Sequence, residues 1–355
     1  MPSPTHTFSQ RLLDWFDQHG RKDLPWQHPR SAYRVWISEI MLQQTQVKTV
    51  IPYFLRFIEQ FPDVQSLALA SEDHVLSHWS GLGYYSRARH LHRAAQMIHD
   101  QHQGQFPQDL DTLLTLPGVG PSTAAAIASL AFNQQTAILD GNVRRVLSRY
   151  FRVDGQAQRA SVQRLYWHWA QACMPSTRCA DYTQAIMDLG ATCCTPKKPD
   201  CIACPLHANC QAHQHDVVGD YPNKPLKKSL PIQRQQFLLL HNLHDLIYLE
   251  RRPPSGLWGG LWCLPSIDMD VDPSIYIRET YRFQTMQAQE LITIKHSFSH
   301  YHLHILAWSL QLRASDTASG ECSGRWFHAN EIQNIGVSTP VRKIIDRFLT
   351  RQHRD

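Results

Sequence analysis

The sequence lacks a long hydrophobic run, and none of its apolar stretches approaches the roughly 20 residues that span a bilayer. The stretch through Phe16 also lacks the basic flank, apolar run and small-residue cleavage site that mark a secretory leader. These absences argue against membrane insertion and against export. We therefore expect a cytoplasmic protein.

A disulfide scaffold is absent as well. The count of nine cysteines in 355 residues is odd, and a reducing compartment would leave their thiolates free to bind metal. Neither an internal repeat nor a low-complexity tract occurs. The chain is long enough for two domains that each bury a core without such staples.

The excess of positive over negative charge is also modest. Lysine and arginine number 35 against 30 acidic residues, which gives a formal net charge of +5 and a pI near 8.7. This balance is compatible with a polyanionic partner, but many proteins that never meet one share it. Charge alone therefore decides little about function.

The pattern of apolar residues changes near residue 225. Residues 8 to about 215 indicate successive helices, whereas β-type alternation begins at Gln233 and is clearest over 236–241 and 293–306. Thr339 opens a final amphipathic helix. The sequence thus predicts a multidomain protein, with an all-α domain followed by an α+β domain.

A segment without periodicity joins the two halves. Residues 219–231 hold three prolines and three lysines, a composition typical of an extended linker. We place the first domain at 1–216, the linker at 217–232 and the second domain at 233–355.

Four cysteines in the middle of the chain have the spacing C-x6-C-x2-C-x5-C: Cys194, Cys201, Cys204 and Cys210. Two of these spacings match no common zinc template, and four thiolates within seventeen residues suit a four-iron, four-sulfur cluster. A structural zinc site and unligated buried thiols are the alternatives. We expect one 4Fe-4S cluster in the loop 194–210.

Upstream of the cysteines, Leu116-Pro-Gly-Val-Gly-Pro-Ser-Thr-Ala124 joins an apolar run to an alanine-rich helix. Gly118 and Gly120 let the backbone turn tightly and approach a phosphate, while Pro121 suits the first helical turn and leaves amides free for an anion. A glycine turn without a ligand would look the same. Followed by the cysteine run, this helix-hairpin-helix resembles that of the endonuclease III and MutY superfamily of DNA glycosylases.

The resemblance implies a catalytic role for Asp140. This residue precedes a helix whose exposed face is predicted to carry Arg144 and Arg145. In the superfamily an aspartate here faces the sugar, where it supports positive charge at C1′ electrostatically or bonds to it covalently. The sequence leaves both modes open, and a plain helix-capping aspartate would look alike.

The segment Ser38-Glu-Ile-Met-Leu-Gln-Gln-Thr-Gln-Val47 resembles the MutY signature, in which the glutamate protonates adenine. Apolar neighbours at helical spacing enclose Glu39, and desolvation raises the pKa of such a carboxyl until it can donate a proton near neutral pH. An exposed or paired glutamate on an amphipathic helix is the structural alternative. We expect Glu39 to be the general acid.

Position 122 separates two activities within the superfamily. Endonuclease III-like members carry a lysine there, and its amine forms a Schiff base that drives strand cleavage. This chain carries Ser122. Water should therefore complete the reaction and leave an abasic site, which predicts a monofunctional glycosylase.

Other matches to the MutY pattern suggest contacts with the target base. Tyr84 and Gln44 are expected to wedge into the duplex as the base swings out. Trp26 and Leu42 are expected to line the adenine pocket. Plain core or surface roles are the alternatives. The predicted DNA-binding residues are Gln44, Tyr84, Gly118, Gly120 and Ser122.

Two motifs, at 255–265 and 295–304, resemble the Nudix-like C-terminal domain of MutY. The metal-binding glutamates of Nudix hydrolases are absent, since residues 260–282 hold only Glu279 and aspartates at unrelated spacing. We therefore expect recognition of 8-oxoguanine without hydrolysis. The residues that match the family's recognition element, and that would distinguish N7–H and O8 of the oxidised base from guanine, are Phe298, Ser299 and His300.

The resemblance implies an adenine-DNA glycosylase that excises adenine opposite 8-oxoguanine or G in base excision repair. Its partner would be double-stranded DNA with such mispairs, and we expect a monomer that associates with the nucleoid if the source is bacterial. An endonuclease III-like lyase acting on oxidised pyrimidines is a second reading, disfavoured by Ser122. A non-catalytic DNA-binding or redox-sensing protein is a third.

Overall fold

Helices dominate the N-terminal part of the computed structural model, which describes residues 4–223, 229–313 and 324–352. The α-helices there are α1 (Pro4–His19), α2 (Ala32–Leu42), α3 (Val47–Gln60), α4 (Val64–Leu69), α5 (Glu72–Trp79), α6 (Ser86–Gln101), α7 (Leu110–Thr115), α8 (Pro121–Phe132), α9 (Gly141–Tyr150), α10 (Ala160–Ala172), α11 (Cys179–Asp188) and α12 (Gln211–Gln214). A π-helical turn and two 3-10 turns lie at Leu189–Cys193, His207–Asn209 and Val218–Asp220. None of the helices within the described ranges is both long and apolar enough to cross a membrane.

Strands dominate the C-terminal part. They are β1 (Ile232–His241), β2 (Ile247–Arg251), β3 (Trp262–Cys263), β4 (Ser266–Ile267), β5 (Thr285–Ser297), β6 (His302–Leu312) and β7 (Gly324–Phe327). Three helices accompany them: α13 (Pro273–Tyr281), α14 (Ala329–Ile332) and α15 (Thr339–Gln352). The predicted order of an all-α domain followed by an α+β domain is confirmed.

Backbone contacts divide the described residues into two compact units. The first comprises residues 4–68 and 93–223, and the second comprises 69–92 together with 229–313 and 324–352. The segment 69–92, which holds α5 and the start of α6, therefore packs with the C-terminal strands. The predicted linker includes residues 224–228, which lie outside the described residues, so the predicted domain boundaries stay a prediction.

The core of the first unit forms where α2 and α11 pack on α8. Trp36 of α2 is fully buried, and its ring meets Phe106 edge to face with centroids 5.4 Å apart. Alanine side chains on α8 let its neighbours approach closely. The buried Ser129 hydroxyl of α8 pairs with Thr183 Oγ1 of α11 at 2.7 Å, which satisfies both hydroxyls.

The second unit is built on a mixed sheet in which the described strands follow the order β3-β2-β1-β6-β5. Strand β4 pairs with β1, and β7 pairs with β2. Strand β1 runs parallel to β6, from Ile232 opposite His302 to His241 opposite Gln311. Strands β5 and β6 form an antiparallel hairpin. This hairpin places the predicted recognition element at its turn.

Two expectations about the strands need correction. Residues 236–241 were expected to alternate, yet 237–241 of β1 are buried without interruption. The reason is that β1 lies between β2 and β6, where protein covers both faces of the sheet. The alternation predicted over 293–306 is divided by the turn at 298–301, which ends β5 and precedes β6.

Candidate active site

The predicted helix-hairpin-helix is formed by α7 and α8. Gly118 has a φ of 78°, in the left-handed region that glycine adopts without strain. Pro121 occupies the first turn of α8, and Gly120 caps the helix without a side-chain hydrogen bond. A Cβ at Gly120 would meet no atom within 4 Å. The hairpin therefore presents open backbone at a helix N-terminus, which suits a phosphate.

Asp140 is the N-cap residue of α9. Its Oδ1 accepts a hydrogen bond from the Val143 amide at 2.7 Å, and its Oδ2 accepts one from Asn142 Nδ2 at 3.2 Å. Burial raises the pKa of Asp140, whereas these hydrogen bonds oppose the rise because they favour the ionised form. The capping geometry that the sequence allowed is therefore present, and it holds the carboxylate in one orientation.

Glu39 lies on α2, close enough to Asp140 for the two charges to interact. The neighbouring apolar side chains on α2 that are buried are Trp36, Ile37, Ile40 and Met41. Burial raises the pKa of the Glu39 carboxyl to about 8, and the negative charge of Asp140 adds to the rise. Burial therefore favours the protonated form of Glu39 at neutral pH, whereas the hydrogen bonds to Asp140 favour its ionised form.

Ser122, in the first turn of α8, contacts the non-helical segment that leads to Asp140. Its Oγ accepts a hydrogen bond from the Leu139 amide at 3.0 Å. The hairpin is thereby tied to the residue before the carboxylate. The sequence singled out Ser122 for the lysine that it replaces and as a DNA-binding residue. It did not predict this hydrogen bond, because a contact between residues 17 positions apart leaves no periodic signal.

Arg145 of α9 faces the cysteine loop. Its Nε donates to the Cys194 carbonyl at 2.7 Å, and its Nη2 donates to the Gly190 carbonyl at 2.6 Å. The helix packs so closely here that a Cβ at Gly190 would lie 2.6 Å from the Cβ of Asn142. The prediction that Arg145 lies on an exposed face is wrong, because loop carbonyls that need donors half-bury the guanidinium.

Arg149, one turn further along α9, is only 2% exposed and was missed by the sequence reasoning. Its Nη1 donates to the Thr195 carbonyl at 2.9 Å, and its Nε lies 3.1 Å from the carbonyls of both Val218 and Tyr221. Nη1 also lies 3.2 Å from Cys194 Sγ. A sequence signal did exist, since Arg149 follows Arg145 at the i,i+4 spacing that shares one helix face.

Both predicted wedge residues have left-handed backbone conformations. The φ angle is 58° at Gln44 and 50° at Tyr84, a region that residues other than glycine rarely adopt. Both side chains are exposed, Tyr84 to 46%. Arg87 braces the turn, because its guanidinium lies 5.3 Å from the Tyr84 ring and its Nη2 donates to the Gly83 carbonyl at 3.2 Å. Such strained, exposed positions suit insertion into another molecule.

The two predicted pocket residues occupy different environments. Trp26 is 5% exposed and packs edge to face on Phe54, with centroids 5.4 Å apart. Leu42 is half-buried at the last residue of α2, three positions after Glu39. Trp26 thus belongs to the core of the first unit, and a contact of either residue with adenine stays a prediction.

The Phe298, Ser299 and His300 element forms the turn between β5 and β6. The Phe298 amide donates to the Tyr301 carbonyl at 2.9 Å, and its ring lies 5.8 Å from that of Trp258. Ser299 and His300 are exposed. The turn lines a cavity of about 720 Å³. Segment 69–92 contributes to the same cavity Gly83, Tyr84, Tyr85, Ser86 and Arg89.

Comparison with known proteins places this geometry in a family. The model described as HhH-GPD superfamily base excision DNA repair protein matches residues 37–172, and a NUDIX domain model matches 236–347. An adenine DNA glycosylase of Buchnera aphidicola subsp. Acyrthosiphon pisum is 37% identical over 97% of this chain and 98% of its own. That of Homo sapiens is 34% identical over 97% of this chain and 74% of its own. The chain belongs to the adenine DNA glycosylase family.

Solved structures resemble part of this family member. A thermostable thymine-DNA glycosylase covers 59% of this chain and 97% of its own, with a TM-score of 0.53 and 27% identity. Endonuclease III in a non-covalent complex with DNA covers 59% of this chain and 94% of its own, with a TM-score of 0.51. At 21% identity the second shows a shared fold alone. The chain is thus a glycosylase, an enzyme that hydrolyses N-glycosidic bonds.

The four predicted ligand cysteines of this glycosylase line one cavity, together with Arg149. Within the described ranges, no three His, Cys, Asp or Glu side chains converge on a position for a single metal ion. A four-iron cluster binds each thiolate through a different iron, whereas zinc draws four sulfurs to about 2.3 Å from one point. The Cys193 thiol donates to the Asp200 carbonyl at 3.2 Å and also forms a hydrogen bond with the side chain of Cys204, so it lies beside the ligand set. The four thiols supply the donor set that a four-iron cluster requires.

Proposed function

We propose that the protein is a monofunctional glycosylase that removes adenine opposite 8-oxoguanine, and more slowly opposite G, from double-stranded DNA. The observation that carries this proposal is the pairing of Glu39 with Asp140. The raised pKa of Glu39 provides an acid, while the hydrogen bonds to Asp140 favour a carboxylate. The first group can assist departure of a base from a sugar, and the second can support the charge that remains on the sugar.

In the proposed reaction Glu39 transfers its proton to adenine, at N7. Without that proton the base would leave as an anion, whereas the protonated base leaves neutral as the glycosidic bond breaks. A pKa of about 8 keeps Glu39 largely protonated at neutral pH. General-acid assistance of this kind contributes roughly 10²- to 10⁴-fold to a rate.

Asp140 supports the positive charge that develops at C1′ as the bond breaks. Its hydrogen bonds to the first turn of α9 hold the carboxylate before the charge appears, so little reorganisation accompanies the reaction. Water then adds to C1′ and loses a proton to solvent, which leaves an abasic site, and Glu39 regains a proton from solvent. Support by charge alone and a transient covalent bond to the sugar both fit this position.

Ser122 supports the monofunctional assignment. Its hydroxyl accepts a hydrogen bond from the Leu139 amide, and no amine stands at this position to attack the sugar. In place of a nucleophile, the hairpin contributes alignment of the Asp140 backbone. We therefore expect the product strand to break only after treatment with alkali.

DNA binding is assigned to the hairpin and the wedges. Amides near Gly118 and Gly120 would receive a phosphate, which positions the duplex without reading its sequence. Gln44 and Tyr84 are each assigned a wedge role, and Trp26 and Leu42 would line the pocket of the extruded adenine. An inserted aromatic ring recovers roughly 1–3 kcal/mol of the stacking energy lost when the base swings out.

Reading of the opposite base is assigned to Phe298, Ser299 and His300. The two exposed polar side chains can meet the N7–H and O8 groups that distinguish 8-oxoguanine from guanine. Phe298 fixes the turn through its packing on Trp258. No hydrolytic step is assigned to this domain, because the Nudix glutamates are not in the sequence.

We assign one 4Fe-4S cluster to Cys194, Cys201, Cys204 and Cys210. When bound, the cluster would cross-link the loop 194–210 without taking part in hydrolysis. The Arg149 guanidinium lies against Cys194 Sγ and lowers the pKa of that thiol, but burial has the larger effect and raises the pKa. Thiolate ligands persist in a reducing compartment, so we place the protein in the cytoplasm, at the nucleoid in a bacterium.

Single-turnover base release tests the proposal on three duplexes, with A opposite 8-oxoguanine, G or T. We expect release in that order of rate, with strand breaks that appear only after hot alkali. Breaks without alkali would indicate a lyase and overturn the assignment of Ser122. Failure of the iron-loaded protein to release base from any duplex would leave a DNA-binding protein without catalysis.

A further inference from the structure

Segment 69–92 is held on the C-terminal strands of the second unit by polar contacts. Ser80 Oγ and Tyr85 Oη both donate to the Val337 carbonyl, at 3.1 and 3.2 Å. An ion pair joins Arg251 Nη2 to Glu72 Oε1 at 3.3 Å. These contacts matter because Tyr84, the predicted wedge, lies within the segment.

Arg89 makes the contact that reaches the recognition cavity. Its Nη1 donates to the Gly259 carbonyl, and its Nη2 donates to the Pro254 carbonyl at 3.0 Å. One planar guanidinium thus binds both ends of the loop 254–259, a geometry that an ammonium group cannot reproduce. The loop is folded tightly, because a Cβ at Gly259 would lie 2.5 Å from the Pro254 oxygen.

The same loop contacts the recognition turn through Trp258. This residue has a φ of 51°, so the closed loop holds it in a conformation that residues other than glycine rarely adopt. Its ring lies 5.8 Å from Phe298 and 5.9 Å from His296. A continuous set of contacts therefore runs from α6, through Arg89 and Trp258, to the turn that carries Ser299.

We infer that Arg89 is a positioning residue that couples recognition of the opposite base to insertion of Tyr84. The inference rests on the proposed function. When the Arg89 guanidinium binds both carbonyls, Tyr84 and the turn 298–300 line one cavity. An oxidised base that binds against the turn therefore also favours the inserted position of Tyr84. Coupling of this kind is reciprocal, and each event should stabilise the other.

The test measures single-turnover base release from A:8-oxoguanine and A:G duplexes by the iron-loaded full chain carrying Arg89→Met. We expect the ratio of the two rates to fall about 10-fold, within the range usual for coupled sites. The loss should lie in the A:8-oxoguanine rate, with the A:G rate changed less than about twofold. A merely structural role would lower both rates by one factor, and that result would overturn the inference.

Two further variants separate the paired hydrogen bonds of the Arg89 guanidinium from its positive charge. Arg89→Lys keeps the positive charge but cannot bind both carbonyls in the same plane, and we expect it to restore only part of the ratio of the A:8-oxoguanine rate to the A:G rate. Full restoration of that ratio would indicate attraction to DNA phosphate and overturn the inference. Arg93→Met removes one charge from an exposed position of the same helix and should leave the ratio unchanged. If Arg89→Met fails to fold, Arg89→Lys decides the question by its partial loss. A wild-type ratio near one would instead overturn the proposed function.

Discussion

The two functional regions of the molecule use burial in opposite ways. In the helical unit, Glu39 and Asp140 are half-buried, and burial raises the pKa of both carboxyls. In the C-terminal unit, Ser299 and His300 are exposed on a turn that ring packing of Phe298 holds. Proton transfer benefits from a desolvated acid, whereas recognition needs polar groups that a partner can reach. In the proposed function, chemistry and recognition therefore occupy different parts of the chain.

The largest effect should follow from removal of the acid. Glu39→Gln keeps the shape of the side chain but holds no transferable proton, so we expect base release to fall about 10²- to 10⁴-fold. Binding of an A:8-oxoguanine duplex, measured by gel shift, should be unchanged. Loss of both activities would mean that Glu39 is structural, and the contrast between the two regions would then fail.

Asp140→Asn should lower single-turnover base release about 10²- to 10³-fold, because a neutral amide cannot support charge at C1′. Asparagine still caps a helix, so the free energy of unfolding should change by less than about 1 kcal/mol. Asp109→Asn is the matched control, since Asp109 caps α7 through an equivalent bond to the Thr112 amide at 2.8 Å. Equal losses of rate in both variants would mean that Asp140 only caps its helix and does not take part in base release.

Arg149→Met tests whether α9 supports the cysteine loop. The change leaves the carbonyls of Thr195, Val218 and Tyr221 without their donor, and we expect the free energy of unfolding to fall by about 3 kcal/mol. Iron and sulfide bound per chain should fall with it. Arg164→Met, at an exposed position on α10, is the control and should keep full iron content.

The pH dependence of base release should reveal the acid directly. Glu39 is protonated below its pKa of about 8, so the single-turnover rate should be level through neutral pH and then fall about 10-fold per pH unit above 8. The residual rate of Glu39→Gln should lack this decline. A rate that rises between pH 8 and 9 would identify a base in place of an acid.

The smallest effect is expected in the exposed region. Ser299→Ala removes one polar contact to the oxidised base, and we expect the ratio of release from A:8-oxoguanine to release from A:G to fall about 5-fold. The A:G rate itself should not change. Thr293→Ala, which removes an exposed hydroxyl from β5, should leave the ratio intact. An unchanged ratio in Ser299→Ala would remove this residue from the recognition element.

Local patterns predicted the parts of the molecule that local chemistry determines. The glycines of the hairpin, the capping position of Asp140 and the apolar environment of Glu39 all depend on residues within a few positions of one another. The order of helices before strands was likewise predictable, because hydrophobic periodicity differs between them. The cysteine spacing predicted a common site, and the four side chains do line one cavity.

What the sequence did not predict depends on contacts between distant residues. Arg145 was expected on an exposed helix face and Arg149 was not noticed, yet both face loop carbonyls more than forty positions away. The sequence pattern of segment 69–92 predicts only another helical stretch, but the segment packs with strands that begin at residue 232. No periodicity records such pairings, because tertiary packing alone decides which face of a helix meets which loop.

The protonated state of Glu39 has a consequence for inheritance. The folded protein keeps a proton on this carboxyl that the unfolded chain releases above about pH 4.5, so the stability present below that pH is lost as the pH rises towards 8. Substitutions that remove the carboxyl should therefore stabilise the fold. A lineage that no longer needs base excision would be expected to lose Glu39 early. Its protein should then unfold at a higher temperature than the active enzyme.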